Sequence, residues 1–168
     1  MNTQDVFNEL KALLPSSIIE QVMIKPDSYI RIDGNAIHEI ATHLRDRLGF
    51  ESLSCISGTD HPSEAAIAIT YHFVSYSHRG TVALKALVAR EGVASLPTLT
   101  DIFKAANWLE REVFDMVGVR FAGHPDLRRI LLPDDWEGYP LRKDYHTPDY
   151  YNGMPVPLFF DDARGANT

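Results

Sequence analysis

The feature that most constrains this chain is a break in composition near Gly118. Residues 119–168 hold 6 of the 10 prolines and 4 of the 10 glycines, so 10 chain-breakers fall in 50 residues against 10 in the preceding 118. The same 50 residues hold 8 of the 17 aromatics: Phe121, Trp136, Tyr139, Tyr145, Tyr150, Tyr151, Phe159 and Phe160. A disordered tail is normally poor in such rings. Backbone polar groups that join no regular element must find water or a partner, while each ring carries about 150–250 Å² that gains by burial. An extended arm laid along another protein meets both demands. The competing arrangement is an arm folded back over its own sheet. The expected division is an α+β domain over 1–118 and a partner-wrapping arm over 119–168. Arg120, Arg128, Arg129, Arg142 and Lys143 interleave with Asp126, Asp134, Asp135, Glu137 and Asp144, a mixture that suits fixing register on a partner better than holding a polyanion.

Before the break the periodicity is readable. Val6, Phe7, Leu10, Leu13 and Leu14 recur at helical spacing until Pro15. Residues 18–24 and 28–32 read as strands around a Lys25-Pro26-Asp27 turn. Ile37, Ile40, Ala41, Leu44 and Leu48 stripe a second helix closed by Gly49. Residues 50–56 read as a strand entering a turn at Ser57-Gly58-Thr59-Asp60-His61-Pro62. Ile67, Ile69, Tyr71 and Phe73 alternate with Ala66, Ala68, Thr70 and His72, and Val82, Leu84, Ala86 and Val88 alternate likewise. Thr100 caps a third helix carrying Ile102, Phe103, Ala106, Leu109, Val113 and Phe114, with Gly118 as its stop. The order α-β-β-α-β-β-β-α with hairpin-length connections predicts a two-layer α+β sandwich. Its sheet is mixed or antiparallel, its helices lie on one face, and an extended C-terminal arm follows.

Composition narrows the chemistry. A lone cysteine, Cys55, closes no internal disulfide and cannot supply the thiolates of an iron–sulfur cluster or a Cys-rich zinc site. In its apolar strand it is expected to be a buried thiol. Sixteen basic against 23 acidic residues give a net charge of −7, which argues against nucleic-acid and anionic-lipid partners. The longest run free of Asp, Glu, Lys and Arg, Ala65 to His78, has 14 residues, short of the roughly 18 that cross a bilayer. The start MNTQDVFNEL lacks a basic and apolar leader pattern, so a cytosolic address is expected.

No catalytic constellation stands out. His38-Glu39-Ile40-Ala41-Thr42-His43 resembles a zinc motif, but the histidines are five apart and sit about 140° apart around a helix, so both are expected at the surface. His72 and His78 lack a carboxylate or thiol at ligand spacing. Phosphate-cradling glycine loops and the nucleophile elbow are absent. Glu112 and Asp115 flank Arg111 in sequence, as an acid–base pair or a helix-end ion network would.

Residues 110–145 read EREVFDMVGVRFAGHPDLRRILLPDDWEGYPLRKDY. This segment closely resembles the signature of the C subunit (the 30 kDa class) of proton-pumping NADH–quinone oxidoreductase, respiratory complex I, whose photosynthetic counterpart is the J subunit. The matching positions are Glu110-Arg111-Glu112, Asp115, Gly118, Gly123-His124-Pro125, Leu127, Arg129 and Pro140-Leu141-Arg142-Lys143-Asp144-Tyr145. Val117 stands where Phe is common in the family.

The resemblance implies a member of the hydrophilic arm, peripheral on the cytosolic side of the inner or photosynthetic membrane. Such a chain binds no cofactor itself; FMN and iron–sulfur clusters belong to other subunits. It implies packing on the D subunit, which helps form the quinone cavity, with the iron–sulfur subunits (B and I) nearby. Carried over by position, Glu110, Arg111, Glu112, Asp115, His124, Pro125, Arg128, Arg129, Trp136, Tyr139, Leu141, Arg142, Lys143, Asp144 and Tyr145 are expected to be partner-binding rather than catalytic. A second class is the equivalent subunit of a related membrane-bound hydrogenase or ferredoxin-linked complex. A third is a stand-alone enzyme built on Glu112, Asp115 and His124.

Overall fold

A computed structural model describes residues 3–24 and 28–156. The expected turn at Lys25-Pro26-Asp27 and the rings of Phe159 and Phe160 lie outside the described residues. In chain order the elements are α1 (Thr3–Leu13), β1 (Ile18–Val22), β2 (Tyr29–Ile32), α2 (Ile37–Asp46), β3 (Ser52–His61), β4 (Ala66–Ser75), β5 (Gly80–Ala89), β6 (Ser95–Pro97), α3 (Ala106–Val117), β7 (Arg120–Ala122), β8 (Tyr150–Tyr151) and β9 (Met154–Pro155).

The main sheet has five strands in the order β1-β2-β5-β4-β3. β3, β4 and β5 form an antiparallel meander, β1 and β2 a hairpin, and β2 joins β5 in parallel, Ile30 opposite Leu84. The sheet is therefore mixed, as the hairpin-length connections predict. Alternation along β4 sorts its faces: Ile67, Ile69, Tyr71 and Phe73 are buried, whereas His72 is exposed. Val6 and Leu10 of α1, Ile37, Ile40 and Leu44 of α2, and Val113 and Val117 of α3 complete one apolar cluster with the buried side chains of the sheet. Each helix contributes a stripe because its apolar residues recur every three or four positions. Gly49, at φ +65°, ends the α2 region as the sequence predicts.

Two expectations require correction. The Ser57–Pro62 segment is not a turn; β3 continues to His61, and the turn begins at Pro62. Gly58 is in the strand because α3 crosses it there: a Cβ would lie 2.6 Å from Val117 Cγ2. Asp60 is there as the buried half of an ion pair with Arg90. Thr100 does not cap α3, which starts at Ala106 with no side-chain cap. The Leu99 carbonyl accepts from the N–H of Ile102 and Phe103, closing a separate turn before the helix. The Thr100 N–H donates to Thr98 Oγ1.

Gly118, at φ +79°, turns the chain out of α3 into β7, which pairs in parallel with β6. Beyond β7, regular structure among the described residues is limited to the small β8–β9 hairpin. A Cβ on Gly118 would lie 2.4 Å from the Tyr139 ring, so the arm returns against the helix end at once.

Candidate functional site

The signature segment is built around α3, one face of which enters the core while another receives the arm. Asp115 is fully buried. Its Oδ2 accepts from three consecutive backbone N–H groups, Ile130 (3.1 Å), Leu131 (2.8 Å) and Leu132 (3.0 Å). Its Oδ1 accepts from Arg129 Nη1 at 2.7 Å. Burial alone would raise this carboxyl; the Leu132 N–H, the Arg129 guanidinium and the N–H groups of Leu131 and Ile130 outweigh it and hold the pKa below the usual range. Arg129 continues the network by donating to the carbonyls of Trp136 and Gly138 at 2.9 Å each. Arg111, also buried, donates to the carbonyls of Arg128 and Arg129. One helical turn thus fixes the path of residues 128–138 through charge-assisted bonds.

The next stretch is tied to the C-terminal end of the same helix. The Leu141 N–H donates to the Met116 carbonyl, and Arg142 Nε donates to the Val117 carbonyl. Both are helix C-terminal carbonyls that need donors. Tyr139 packs edge-on to Phe114 and lies beneath the guanidinium groups of Arg129 and Arg142, at 5.4 and 5.0 Å. Asp60 of β3 accepts from Arg90 and from the Lys143 N–H, and Arg90 also bonds Asp144. The Arg90 guanidinium foremost holds the Asp60 carboxyl below its ordinary value. Trp136 Nε1 donates to Tyr145 Oη, and its ring meets Tyr151 at 5.1 Å.

Glu110 differs in kind. It is fully buried and accepts from Thr98 Oγ1 and the Leu99 N–H, each at 2.6 Å. Among the described residues no cation pairs with it, and burial pushes its pKa up to about 7. His124 donates from Nε2 to the Asn107 carbonyl and accepts at Nδ1 from the Asp126 N–H, while exposed Arg128 pairs with Asp126. Asp115 and His124 thus bond to separate partners, and among the described residues no hydrogen bond joins Glu112, Asp115 and His124 into an acid–base centre.

Most of the residues carried over as partner-binding thus have their polar groups engaged within the chain. Glu110, Arg111 and Asp115 are buried, and Arg129 and Arg142 are half-buried. Glu112, Pro125, Leu141 and the Lys143 side chain are exposed. Trp108, 64% exposed, and Leu131, 61% exposed, also face outward, with Arg111 stacked 5.0 Å from the Trp108 ring. The sequence reading did not single out these two, nor Asp60 and Arg90. Trp108 was detectable as the α3 aromatic lying off the apolar stripe. Leu131 carries no such signal, because its exposure is set by the Asp115 bond to its own backbone. The two α2 histidines are not both free at the surface: His38 bonds Asp101, and His43 is half-buried near Glu9. Cys55 is half-buried rather than enclosed; burial and then the nearby Glu112 carboxylate raise its thiol. Among the described residues no group of three or more His, Cys, Asp or Glu is placed to hold a metal ion, and no helix is long and apolar enough to cross a membrane.

An α+β domain whose helix end is latched by an arginine- and aromatic-rich arm defines the class, and residues 30–151 match the family described as respiratory-chain NADH dehydrogenase, 30 Kd subunit. The chain belongs to that family. It is 44% identical over 129 residues to the C subunit of NADH-quinone oxidoreductase from Chlorobium phaeobacteroides, covering 75% of this chain and 77% of that protein. It is 38% identical over 147 residues to the C subunit from a Roseiflexus species, covering 86% and 84%. The J subunit of NAD(P)H-quinone oxidoreductase from a Synechococcus strain is 41% identical over 115 residues, covering 61% of this chain and 60% of that protein. A chain in the solved membrane-bound sulfane sulfur reductase, an archaeal respiratory membrane complex, matches with TM-score 0.73 and 25% identity over 85% of each chain.

Proposed function

We propose that this chain is a non-catalytic scaffold subunit in the peripheral arm of a proton-translocating NADH–quinone oxidoreductase. In this reading it packs on the quinone-site D subunit, with the B and I subunits nearby, on the cytoplasmic side of the membrane. FMN and the iron–sulfur clusters are held by other subunits, and the chain supports electron transfer to quinone without carrying electrons. The partner-wrapping role then falls to the outer surface of residues 119–156 among the described part of the arm.

The observation that carries the reading is how the signature is used. Its charged groups fold the first half of the arm against α3, leaving Trp108, Leu131 and Leu141 outward beside the exposed side chains of Glu112 and Lys143. Exposed aromatic and aliphatic anchors beside polar groups are the make-up of a protein interface. A single cysteine agrees with clusters being housed elsewhere.

The test is to tag this chain and purify it from membranes. NADH:quinone reductase activity and the flavin and iron–sulfur absorbance are expected with the co-purified subunits and not with the chain alone. A chain that is coloured and reduces quinone by itself overturns the reading. The resemblance to a sulfane sulfur reductase chain favours one second reading, the equivalent subunit of a related respiratory complex. Co-purification of a hydrogenase-like or ferredoxin-linked set, without NADH- and flavin-binding subunits, would decide for it.

A further inference from the structure

We infer that the groove between the free edge of β3 and the outer side of α3 receives an extended segment of a neighbouring protein chain, one apolar side chain entering the groove and a Lys or Arg beside it meeting Glu112. The inference rests on the scaffold reading and specifies one of its contacts.

Among the described residues β3 lies at the edge of the sheet, with β4 as its one neighbour. An edge strand presents a row of backbone donors and acceptors to any chain that can pair with it. Natural edges are commonly blunted by charge, proline or a bulge. Here the register shifts between Leu53 and Cys55, so the bulge sits at the strand's beginning. The stretch Cys55-Ile56-Ser57-Gly58 after it carries no charge and no proline. Among the described residues it makes no backbone bond outside the β3–β4 ladder. The arm crosses only further on, where the Lys143 N–H reaches Asp60.

Beside this edge is a cavity of about 150 Å³ lined by Cys55, Leu109, Glu112, Val113, Met116 and Leu141 among others. That is room for about one aromatic ring or large aliphatic side chain. Gly58 contributes to the shape, since its missing side chain lets Val113 and Val117 approach the strand. Backbone pairing along β3 and one anchored side chain are what a strand offers; a helix satisfies its own backbone and cannot use the edge.

Charge decides the occupant. Glu112 is exposed and, among the described residues, has neither hydrogen bond nor ion pair. It is close enough to Cys55 to act on its thiol electrostatically. An acidic segment would face like-charge repulsion, whereas a basic residue pairs. A second copy docking edge to edge about a two-fold axis would bring its own Glu112 toward this one, which disfavours self-association.

Cys55 is the chain's one cysteine and lines the groove, so it reports occupancy. The oxidoreductase complex, purified through a tag on another subunit, and the isolated full chain are treated with N-ethylmaleimide, and the Cys55 peptide is followed by mass spectrometry. Labelling at least about tenfold slower in the complex is expected, as for a site that must open before it reacts. A photoreactive residue in place of Met116 is expected to cross-link to another subunit, within two residues of a Lys or Arg in an extended segment. Because Glu112 makes no hydrogen bond or ion pair among the described residues, Glu112→Lys should leave the isolated chain's thermal unfolding unchanged while weakening retention in the complex roughly tenfold.

If the chain is in the complex but Cys55 labels at the isolated rate, the groove assignment fails and the scaffold reading stands. A cross-link to a helix, an acidic segment or a second copy of this chain also overturns the assignment, as does full retention of Glu112→Lys. A chain absent from the complex overturns both.

Discussion

Asp115→Ala removes the acceptor on which the first half of the arm is threaded. The parent carboxylate receives the N–H groups of Ile130, Leu131 and Leu132 and the guanidinium of Arg129. Hydrogen bonds to a charged group contribute about 1.5–3 kcal/mol each when taken singly. The sum does not apply here, because one deletion relaxes all of them together. Arg129 is only 13% exposed, yet it keeps the carbonyls of Trp136 and Gly138 as acceptors. The loop N–H groups lie near the surface and regain water. A loss of about 3 kcal/mol, at the low end for breaking a buried pair, follows. The loss falls on opening of residues 128–138 rather than on the sheet, whose core touches none of these bonds. Trypsin cleaves after Arg129 only when that segment opens. Where cleavage tracks the open population, about 3 kcal/mol corresponds to roughly a hundredfold faster nicking. Asp115→Asn, which keeps one acceptor oxygen but places an NH2 among donors, should fall between. Far-UV circular dichroism should show the sheet intact in both variants. Nicking of Asp115→Ala within about threefold of the parent would refute the latch.

Glu110→Gln tests the buried unpaired acid. A folded pKa raised from 4.5 to about 7 means stability is fully present below pH 4.5 and is lost as pH rises through 7. The difference between parent and variant in urea-unfolding free energy should therefore change across that window by at most about 3 kcal/mol and be flat above it; no pH dependence in the difference contradicts the assignment. The opposite sign holds for Asp115 and Asp60, whose lowered values make their contributions fade on acidification below their ordinary 3.8. Tyr71→Phe removes a buried hydroxyl that has no hydrogen-bond partner among the described residues, so thermal unfolding should show a change between neutral and about 1 kcal/mol stabilising; a loss above about 1 kcal/mol would contradict this.

The central frame was readable because local rules act alone there. Strict alternation from Ile67 to Phe73 and the Ile37–Leu44 stripe each follow from one element burying one side. β6 and β7 were not readable. Each is three residues long, and they pair in parallel across α3, so nothing in either window announces the other. Gly58 and Asp60 are common turn residues whose role in β3 comes from α3 and Arg90, elements distant in sequence. The signature was legible as a pattern of residue types. That Asp115 accepts from its own arm depends on how the chain returns after Gly118, which spacing does not encode.

The parallel pairing of β2 with β5 has a consequence for the order in which the chain is made. Residues 18–32 leave the ribosome before the other strands of the sheet, but the strand they dock on is some fifty residues downstream. The meander from Ser52 to Ala89 closes through adjacent hairpins, while the leading hairpin waits for a long-range closure that is entropically slower. During synthesis the amino-terminal strands are therefore the last part of the sheet to be covered, although they are the first to exist.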